Sequence, residues 1–274
     1  MAAAILMTLA LVLAGAPAAL ADATRSSNWA GYALHRSGMS FTRVMGAWRQ
    51  PSATCTPHIP TYSSVWVGLG GYRVGSRALE QIGSEVDCNA AGKIESSAWY
   101  ELVPAGSRKI KITVRPGDEL SASVSVSGHR VRLALRDRTR RSSFTRTLRA
   151  TTADVSSAEW ILEAPSVCAG GYSCRTLALA AFGSASFSRA SAVTTTGEEG
   201  SIADRRWGAT RISLAPSGRH FIERSASGIG ASALPSSLSA RGSSFTVTYR
   251  GTPSTTTPSL ARPQARAATA SLVR

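Results

Sequence analysis

Two short apolar segments of the chain carry polar side chains of the types that catalyse hydrolysis. The first segment, residues 158–163, reads Ala-Glu-Trp-Ile-Leu-Glu. Successive side chains of a β-strand alternate between its two faces, so Glu159 and Glu163 share one face while Trp160 and Leu162 share the other. The tryptophan and leucine face predicts packing in a core. Taken alone, the two glutamates fit a solvent-facing polar edge as well as the floor of a groove.

The second segment carries a glutamine that suits a different chemical task. It reads Leu-Glu-Gln-Ile-Gly and projects Gln81 to the face opposite Ile82. A glutamine amide cannot act as a base, but its NH2 group can donate to an oxygen that becomes negative in a tetrahedral intermediate. A carboxylate such as that of Glu163 can take a proton from an attacking water and return it to a departing amide nitrogen. The two segments together carry the groups for hydrolytic chemistry, but on these residues alone the solvent-facing edge and the groove both stay open.

The first 21 residues predict export. They contain an apolar run from Ala2 to Ala14 and end on the small-x-small sequence Ala-Leu-Ala. This pattern is typical of a secretory signal peptide that is cleaved before Asp22. A membrane anchor would need about 20 unbroken apolar residues, and the glycine and proline that follow the run interrupt it too early. We therefore predict a secreted, extracellular protein without stable membrane insertion.

Four cysteines in an exported chain predict two disulfides. Cys168 and Cys174 bracket a short glycine-containing loop, which leaves Cys55 and Cys88 as the second pair. The sequence contains no Cys-x-x-Cys or His-x-x-x-His spacing, and its four histidines are scattered singly. We therefore predict no metal site and no cofactor.

The net charge of +15 comes almost entirely from arginine and favours anionic partners such as nucleic acid, cell-wall polymers or membrane surfaces. The arginines are not gathered in one helix or arm. Between residues 130 and 138 they alternate with apolar residues, which is the pattern of a strand with one wet and one dry face. Aromatic residues at stacking spacing do not accompany them. We therefore predict a solvated basic surface, no nucleic-acid partner, and a monomer.

Strand-forming segments separated by turn residues dominate the chain, and no 3.6-residue apolar period persists long enough for a major helix. Many short strands with little helix predict an all-β sandwich or barrel. The predicted strands are Phe41–Arg49, Ser63–Gly71, Ala78–Val86, Ser96–Val103, Lys109–Val114, Glu119–Val126, Arg130–Asp137, Ser143–Arg149, Ala158–Ala164, Leu177–Phe187 and Ser243–Tyr249.

The composition divides the chain into three parts. Residues 1–21 are the predicted signal peptide, and residues 22–250 are long enough for one large β-domain. Residues 251–274 are rich in Thr, Ser, Pro, Ala and Arg and contain few large apolar residues. Such a segment cannot contribute much core, so we predict a disordered tail.

Five short motifs together resemble the glutamic peptidases, also called eqolisins. They occur in the family's order and at similar spacing, from about residue 26 to about residue 190, where 177–187 resembles a further family strand. The motifs are Ser27-Asn28-Trp29-Ala30-Gly31-Tyr32, Trp66-Val67-Gly68, Leu79-Glu80-Gln81-Ile82-Gly83, Ala98-Trp99-Tyr100-Glu101 and Ala158-Glu159-Trp160-Ile161-Leu162-Glu163. The resemblance implies a concanavalin-like sandwich of two antiparallel sheets, with the active site on the concave face of one sheet. It also implies acid endopeptidase activity on polypeptides, without a metal.

The resemblance also assigns roles to individual residues. It makes Gln81 and Glu163 the catalytic pair, and it places Trp66, Trp99 and Glu101 where the family binds substrate. Because Gln81 and Glu163 are polar interruptions of buried strands, we predict that they lie on adjacent strands, in one groove, within about 8 Å of each other. Glu159 is then expected to have a structural role.

The chain departs from the family at several points. Gly70 and Ser97 stand where the fungal enzymes have acids close to the catalytic pair, so the resemblance does not fix the local electrostatics or the pH optimum. Between the predicted cleavage site and Ser26 there is no room for a propeptide of the fungal kind.

Two other functions compete with the peptidase. A non-catalytic concanavalin-like sandwich could bind polysaccharide or peptide with Trp66, Trp99 and Tyr100 as platforms, although the same aromatic residues can simply be core. A glycosidase would need two carboxylates about 5 to 10 Å apart across a cleft, and Glu101 and Glu163 are the candidates. The presence of Gln81 together with Glu163 favours the peptidase.

Overall fold

The computed structural model describes residues 22–169, 173–221, 231–251 and 271–273. This part of the chain forms nineteen β-strands, and none of its residues is helical. In chain order the strands are β1 (Asp22–Ser26), β2 (Trp29–His35), β3 (Phe41–Arg49), β4 (Ser64–Gly70), β5 (Leu79–Cys88), β6 (Ile94–Val103), β7 (Arg108–Ile110), β8 (Glu119–Ser127), β9 (Arg130–Asp137), β10 (Ser142–Arg149), β11 (Ser157–Glu163), β12 (Ser166–Ala169), β13 (Ser173–Thr176), β14 (Ser184–Thr194), β15 (Glu199–Ser201), β16 (Gly208–Leu214), β17 (Ser232–Pro235), β18 (Phe245–Arg250) and β19 (Ser271–Val273).

One hydrogen-bonded sheet contains sixteen of these strands and supplies both layers of the fold. Its order is β10-β9-β8-β3-β14-β18-β17-β16-β2-β11-β4-β5-β6-β7, with β1 paired to β16 and β15 paired to β14. The sheet folds over itself, so that β3, β8 and β9 pack against β4, β5 and β11. All strand pairs in it are antiparallel except β1 with β16. The predicted antiparallel sandwich is confirmed, with the difference that its two layers are continuous.

The core between the layers depends on large aromatic side chains whose polar atoms are satisfied. Trp160 is fully buried there and donates its indole N–H to the carbonyl oxygen of Met45 on β3, at 2.7 Å. Trp48 on β3 donates in the same way to Ser84 Oγ on β5, at 2.9 Å. A buried donor without a partner would cost about 1–3 kcal/mol, so these bonds join the layers without that penalty. Trp160 and Leu162 therefore face the core, as predicted.

Two predicted strands differ from the observed ones. The segment predicted at 109–114 pairs only as β7, and the segment predicted at 177–187 becomes a continuous strand only from Ser184. Upstream of Ser184 the chain makes isolated bridges at Leu179 and Ala181. Gly183 then turns it with a φ of +67°, a conformation that glycine adopts without steric cost. The apolar run therefore packs against the core as a loop.

The predicted disulfide between Cys55 and Cys88 is confirmed, with Cα atoms 5.3 Å apart. Cys168 and Cys174 are direct cross-strand partners in the β12–β13 pair. Their side chains lie outside the described part of the structure, so that bridge stays a prediction.

Most of the predicted terminal segments lie outside the described residues. These segments are the predicted signal peptide, 1–21, and residues 252–270 and 274 of the predicted tail. Within the tail, β19 pairs antiparallel with β12. Among the described residues there is no helix of the length and hydropathy needed to cross a membrane.

Candidate active site

Gln81, Glu101 and Glu163 share one face of the layer formed by β2, β11, β4, β5 and β6. This face points away from the interlayer core. We call it the site face and define it by these three residues together with Trp29 and Trp66. Strand register brings them together, because residues that oppose each other across neighbouring strands project to the same face. Glu163 opposes Trp29 on β2, and Gln81 opposes Glu101 on β6.

Two N–H donors hold the carboxylate of Glu163. Its Oε2 accepts a hydrogen bond from the indole Nε1 of Trp66 at 2.8 Å, and its Oε1 accepts one from Asn28 Nδ2 at 3.4 Å. The residue is only 4% exposed. Burying a carboxylate is costly unless hydrogen bonds compensate for lost water, and these donors provide that compensation while fixing the orientation of the group.

A second set of contacts fixes Asn28 itself. Its Oδ1 accepts hydrogen bonds from Ser26 Oγ at 2.9 Å and from the backbone N–H of Phe221 at 3.1 Å. These bonds determine which end of the amide faces Glu163. The ring of Phe221 stacks on Trp29, with centroids 4.6 Å apart, and Trp29 in turn contacts Trp66 edge to face at 5.0 Å. The donors to Glu163 therefore sit in one packed aromatic cluster.

The role of Asn28 was missed in the sequence. It lies in the first of the five motifs, and this position next to Trp29 was the available signal. His220 was also missed: its Nδ1 lies 2.7 Å from Ser27 Oγ and its Nε2 lies 3.5 Å from Ser166 Oγ. This histidine therefore ties the segment before Phe221 to β12.

Gln81 is positioned by the neighbouring carboxylate of Glu101. Gln81 Nε2 donates to Glu101 Oε2 at 2.7 Å, and both residues are completely buried. Because Glu101 accepts this bond, the amide nitrogen of Gln81 is identified and its plane is oriented.

Trp66 occupies the space between the two candidate catalytic groups. A Cβ added at Gly83 would lie 2.5 Å from Trp66 Cβ, and one added at Gly68 would lie 3.0 Å from Trp66 Cζ3. The indole therefore extends from Gly68, the cross-strand partner of Gln81, to the carboxylate of Glu163. Both glycines leave room for it, so the sequence Trp-Val-Gly on β4 is a packing requirement of the site.

The prediction that Gln81 and Glu163 lie on adjacent strands is wrong, because β4 lies between β5 and β11. Gln81 opposes Gly68, and the residue opposite Gly68 on β11 is Glu159. Glu163 lies four residues further along its strand and opposes Ser64. Neither segment contains information on a strand inserted between them, which is why the sequence did not predict it.

Three carboxyl groups, those of Glu80, Asp154 and Glu159, lie close enough to influence one another's pKa. Burial raises the pKa of Glu80 to about 8, and the nearby charge of Asp154 adds to the rise. Burial also raises the pKa of Glu159 well above its ordinary value, and the charges of Asp154 and Glu80 act in the same direction. No hydrogen bond of normal geometry reaches a carboxyl oxygen of Glu80 or Glu159 among the described residues, although the nearby hydroxyl of Ser157 acts against the rise in the pKa of Glu159.

Asp154 behaves in the opposite way. Burial acts to raise its pKa, but hydrogen bonds from Ser156, from Ser76 and from the backbone N–H of Gly71 outweigh burial and lower it. Near pH 4.5 the cluster therefore holds Asp154 as the carboxylate, with Glu80 and Glu159 protonated.

The same cluster bears on the positions where the chain departs from the family. At Gly70, which has a φ of +87°, an added Cβ would lie 2.5 Å from Asp154 Cβ. Asp154 thus places a carboxylate next to Gly70, where the fungal enzymes have an acid. At Ser97, the hydroxyl donates to the carboxylate of Glu85 on the neighbouring strand.

The aromatic platforms of the binding-module alternative are buried. Trp66 is 0%, Trp99 2% and Tyr100 6% exposed. Tyr100 projects to the other face and stacks on Phe144 of β10, with centroids 5.6 Å apart. None of the three offers an exposed ring to a sugar, which weighs against that alternative. Among the described residues no group of three or more His, Cys, Asp or Glu side chains is arranged to hold a metal ion.

Comparisons with known proteins give a consistent result. A family model described as the Peptidase A4 family matches residues 27–249. Among curated proteins, none matches the chain.

Several solved structures share the fold. Scytalido-glutamic peptidase with a transition-state analogue inhibitor has a TM-score of 0.65 and 22% identity over 81% of this chain and 98% of its own. SCP-B, a member of the eqolisin family in complex with the tripeptide Ala-Ile-His, has a TM-score of 0.61 and 21% identity over the same shares. Aspergilloglutamic peptidase from Aspergillus niger has a TM-score of 0.53 and 26% identity over 69% of this chain and 99% of its own.

Proposed function

Because the chain belongs to the Peptidase A4 family and is a glutamic-type endopeptidase, we propose that Glu163 activates the attacking water and that Gln81 stabilises the oxyanion. The observation that carries this proposal is the carboxylate of Glu163, held by the N–H donors of Trp66 and Asn28 on the same face as Gln81. Acyl transfer to water is accelerated by a general base and by a hydrogen-bond donor to the oxyanion, and a carboxylate and a primary amide can supply these two functions.

In the proposed first step, Glu163 takes a proton from a water molecule while the water oxygen attacks the peptide carbonyl carbon. In the second step, the same carboxyl group gives the proton to the amide nitrogen as the C–N bond breaks. Trp66 and Asn28 act as positioning residues, because they hold the carboxylate while it changes protonation state.

Gln81 acts on the carbonyl oxygen of the substrate, which becomes negative in the tetrahedral intermediate. Its amide NH2 donates to Glu101 in the folded protein, and we propose that the same NH2 group donates to the developing oxyanion during the reaction. Glu101 therefore pre-orients the donor, which avoids reorganisation during the reaction.

We propose that this activity is greatest at acid pH, in a secreted monomer that acts on polypeptides. The buried carboxyl groups of Glu80 and Glu159 are neutral in acid, where they add no repulsion to a site that already contains Glu101 and Glu163. The Cys55–Cys88 disulfide fits the oxidising environment outside the cytoplasm.

Replacing Gln81 by alanine is expected to lower kcat by about 10²–10³-fold with little change in KM, since the lost donor acts mainly in the transition state. Gln81→Glu should also impair catalysis, because a carboxylate beside Glu101 would either repel it or share a proton with it. Gln50→Ala is the matched control. Gln50 is likewise buried and hydrogen-bonded, to Ser84 and the backbone of Glu85, away from the site face. Equal losses in the alanine variants would contradict the role given to Gln81.

The activity itself is tested by incubating the mature protein with a denatured protein between pH 2 and pH 7 and following cleavage by mass spectrometry. Parallel samples contain pepstatin or EDTA. Cleavage in acid that resists both inhibitors supports the proposal. Absence of cleavage at every pH would favour the non-catalytic sandwich that binds peptide or polysaccharide.

A further inference from the structure

A groove of ≈ 650 Å³ lies on the outside of the other layer, across β14, β3, β8, β9 and β10. Five arginines line it: Arg43, Arg136, Arg138, Arg141 and Arg189. All five are exposed, and we call this feature the arginine groove. Arg136, Arg138 and Arg141 come from the β9–β10 hairpin, and Arg43 and Arg189 come from β3 and β14, so the groove exists only when the sheet forms.

The charge of the arginine groove is largely uncompensated. Among the described residues, the arginines in ion pairs are Arg49, Arg140 and Arg206, and none of these lines the groove. One carboxylate, that of Glu199, lies at its edge, where it accepts a hydrogen bond from Ser191 at 3.2 Å. Five guanidinium groups therefore face a single acid, which is the arrangement expected of an anion-binding surface.

Backbone geometry at two of the arginines is unusual. Arg141 has a φ of +55° and Arg189 a φ of +52°, a region that residues other than glycine rarely adopt. Only His58 shares this property among the other non-glycine residues that the structure describes. Arg189 also lies in a register shift between Ser188 and Ser191, and such bulges re-aim side chains. Strained backbone of this kind is concentrated at functional sites, and here it occurs at both sides of one groove.

Apart from Met45, Leu135 and Phe144, the remaining neutral lining residues are Gly, Ala, Ser and Thr, and the last two supply neutral hydrogen-bonding groups. The hydroxyl oxygen of Ser142 is buried and has no hydrogen-bond partner among the described residues. Other serines of the lining are Ser121, Ser123, Ser143 and Ser191.

These features favour a linear, hydroxyl-rich polyanion. Five adjacent strands span about 19 Å at the usual strand spacing, which is more than one small anion needs. Single-stranded nucleic acid is bound with exposed aromatic rings on which bases stack. The one aromatic residue in the lining, Phe144, is half-buried and already stacks on Tyr100.

We propose that the arginine groove binds an acidic polysaccharide through its carboxylate or sulfate groups, with the serine hydroxyls contacting the sugars. Bound there, the protein would be held on an anionic polymer through the layer that does not carry the site face. The proposal does not rest on the catalytic roles of Glu163 and Gln81.

The experiment measures binding of the full protein to polygalacturonate at two salt concentrations. The test variant is Arg136→Gln/Arg138→Gln/Arg141→Gln. The matched control is Arg25→Gln/Arg175→Gln/Arg250→Gln, which removes the same charge from exposed positions on β1, β13 and β18. We expect at least tenfold weaker binding for the test variant, less than threefold for the control, and a shallower salt dependence for the test variant.

Equal losses in the two variants would overturn the proposal, because binding would then follow net charge alone. Single-stranded DNA that competes as strongly as polygalacturonate itself would overturn the choice of polysaccharide. Neutral dextran serves as the negative competitor. Circular dichroism establishes that each variant folds, and Arg43→Gln/Arg189→Gln, on β3 and β14, gives a second variant if the first does not.

Discussion

Replacing Glu163 by glutamine is expected to lower kcat by about 10²–10⁴-fold, the usual contribution of general acid–base catalysis. The substitution preserves size and can keep one of the two hydrogen bonds from Trp66 and Asn28, because the amide has a single acceptor oxygen. It removes the only group to which we assign proton transfer. Peptide binding should survive, since the lost step belongs to the transition state. Steady-state kinetics on a fluorogenic peptide, with KM and kcat determined separately, measures the effect.

Glu159→Gln is the matched comparison, because it changes the same residue type on the same strand face. Burial keeps Glu159 protonated over the acid range, and glutamine resembles that neutral form. We expect this variant to keep most of its activity. The opposite result, with Glu159→Gln inactive and Glu163→Gln active, would transfer the catalytic role to Glu159, which is level with Gln81 across β4. Wild-type rates in both variants would refute the catalytic mechanism.

The folded protein is expected to lose on the order of 5 kcal/mol of stability as the pH rises from 4.5 to 8, because of Glu80 alone. Its pKa is raised in the folded state, so the unfolded chain releases the proton first. The stability is fully present below pH 4.5 and is lost as the pH approaches 8. Glu159, whose pKa is also raised, adds a loss in the same direction. Asp154 has a lowered pKa, so it limits stability on the acid side, below about pH 3.8.

Thermal unfolding measured from pH 3 to pH 9 checks this expectation. Glu80→Gln should leave the Tm near pH 4 almost unchanged and raise it near pH 8 by roughly 10–20 °C. Glu119→Gln is the control, because Glu119 is exposed and forms only a surface ion pair with Arg49. A wild-type Tm that rises steadily from pH 4 to pH 8 would show that Glu80 is not a buried neutral acid.

The strands that the sequence predicted best are those with one wet face. β8 and β9 begin where the alternation of serine or arginine with apolar residues begins. β2 was not predicted, although β4 and β11, which are buried along their whole length, were. Unlike them it contains no β-branched residue, and Gly31 lies in its middle. An added Cβ at Gly31 would lie 2.0 Å from the carbonyl oxygen of Trp160, so β2 packs closely against β11.

At the candidate site, the sequence predicted which residues share a face but not how the strands are ordered. The alternation of side chains placed Glu159 and Glu163 on one face of β11, and the family motifs identified Gln81 and Glu101 as site residues. The insertion of β4 between β5 and β11 depends on long-range pairing, which no local pattern encodes. The same holds for Phe221, whose backbone N–H holds Asn28 from the far end of the domain.

The distance along the chain between the groups that hold Glu163 has a consequence for the timing of activity. Asn28, Trp66 and Phe221 are separated by up to 193 positions, yet all three must be in place before the carboxylate is oriented. Contacts of such high sequence separation form late in folding, because their loop-closure entropy must be overcome first. A chain that is still being synthesised therefore lacks the complete set of donors to Glu163. With the role that we propose for Glu163, such an unfinished chain cannot cleave itself.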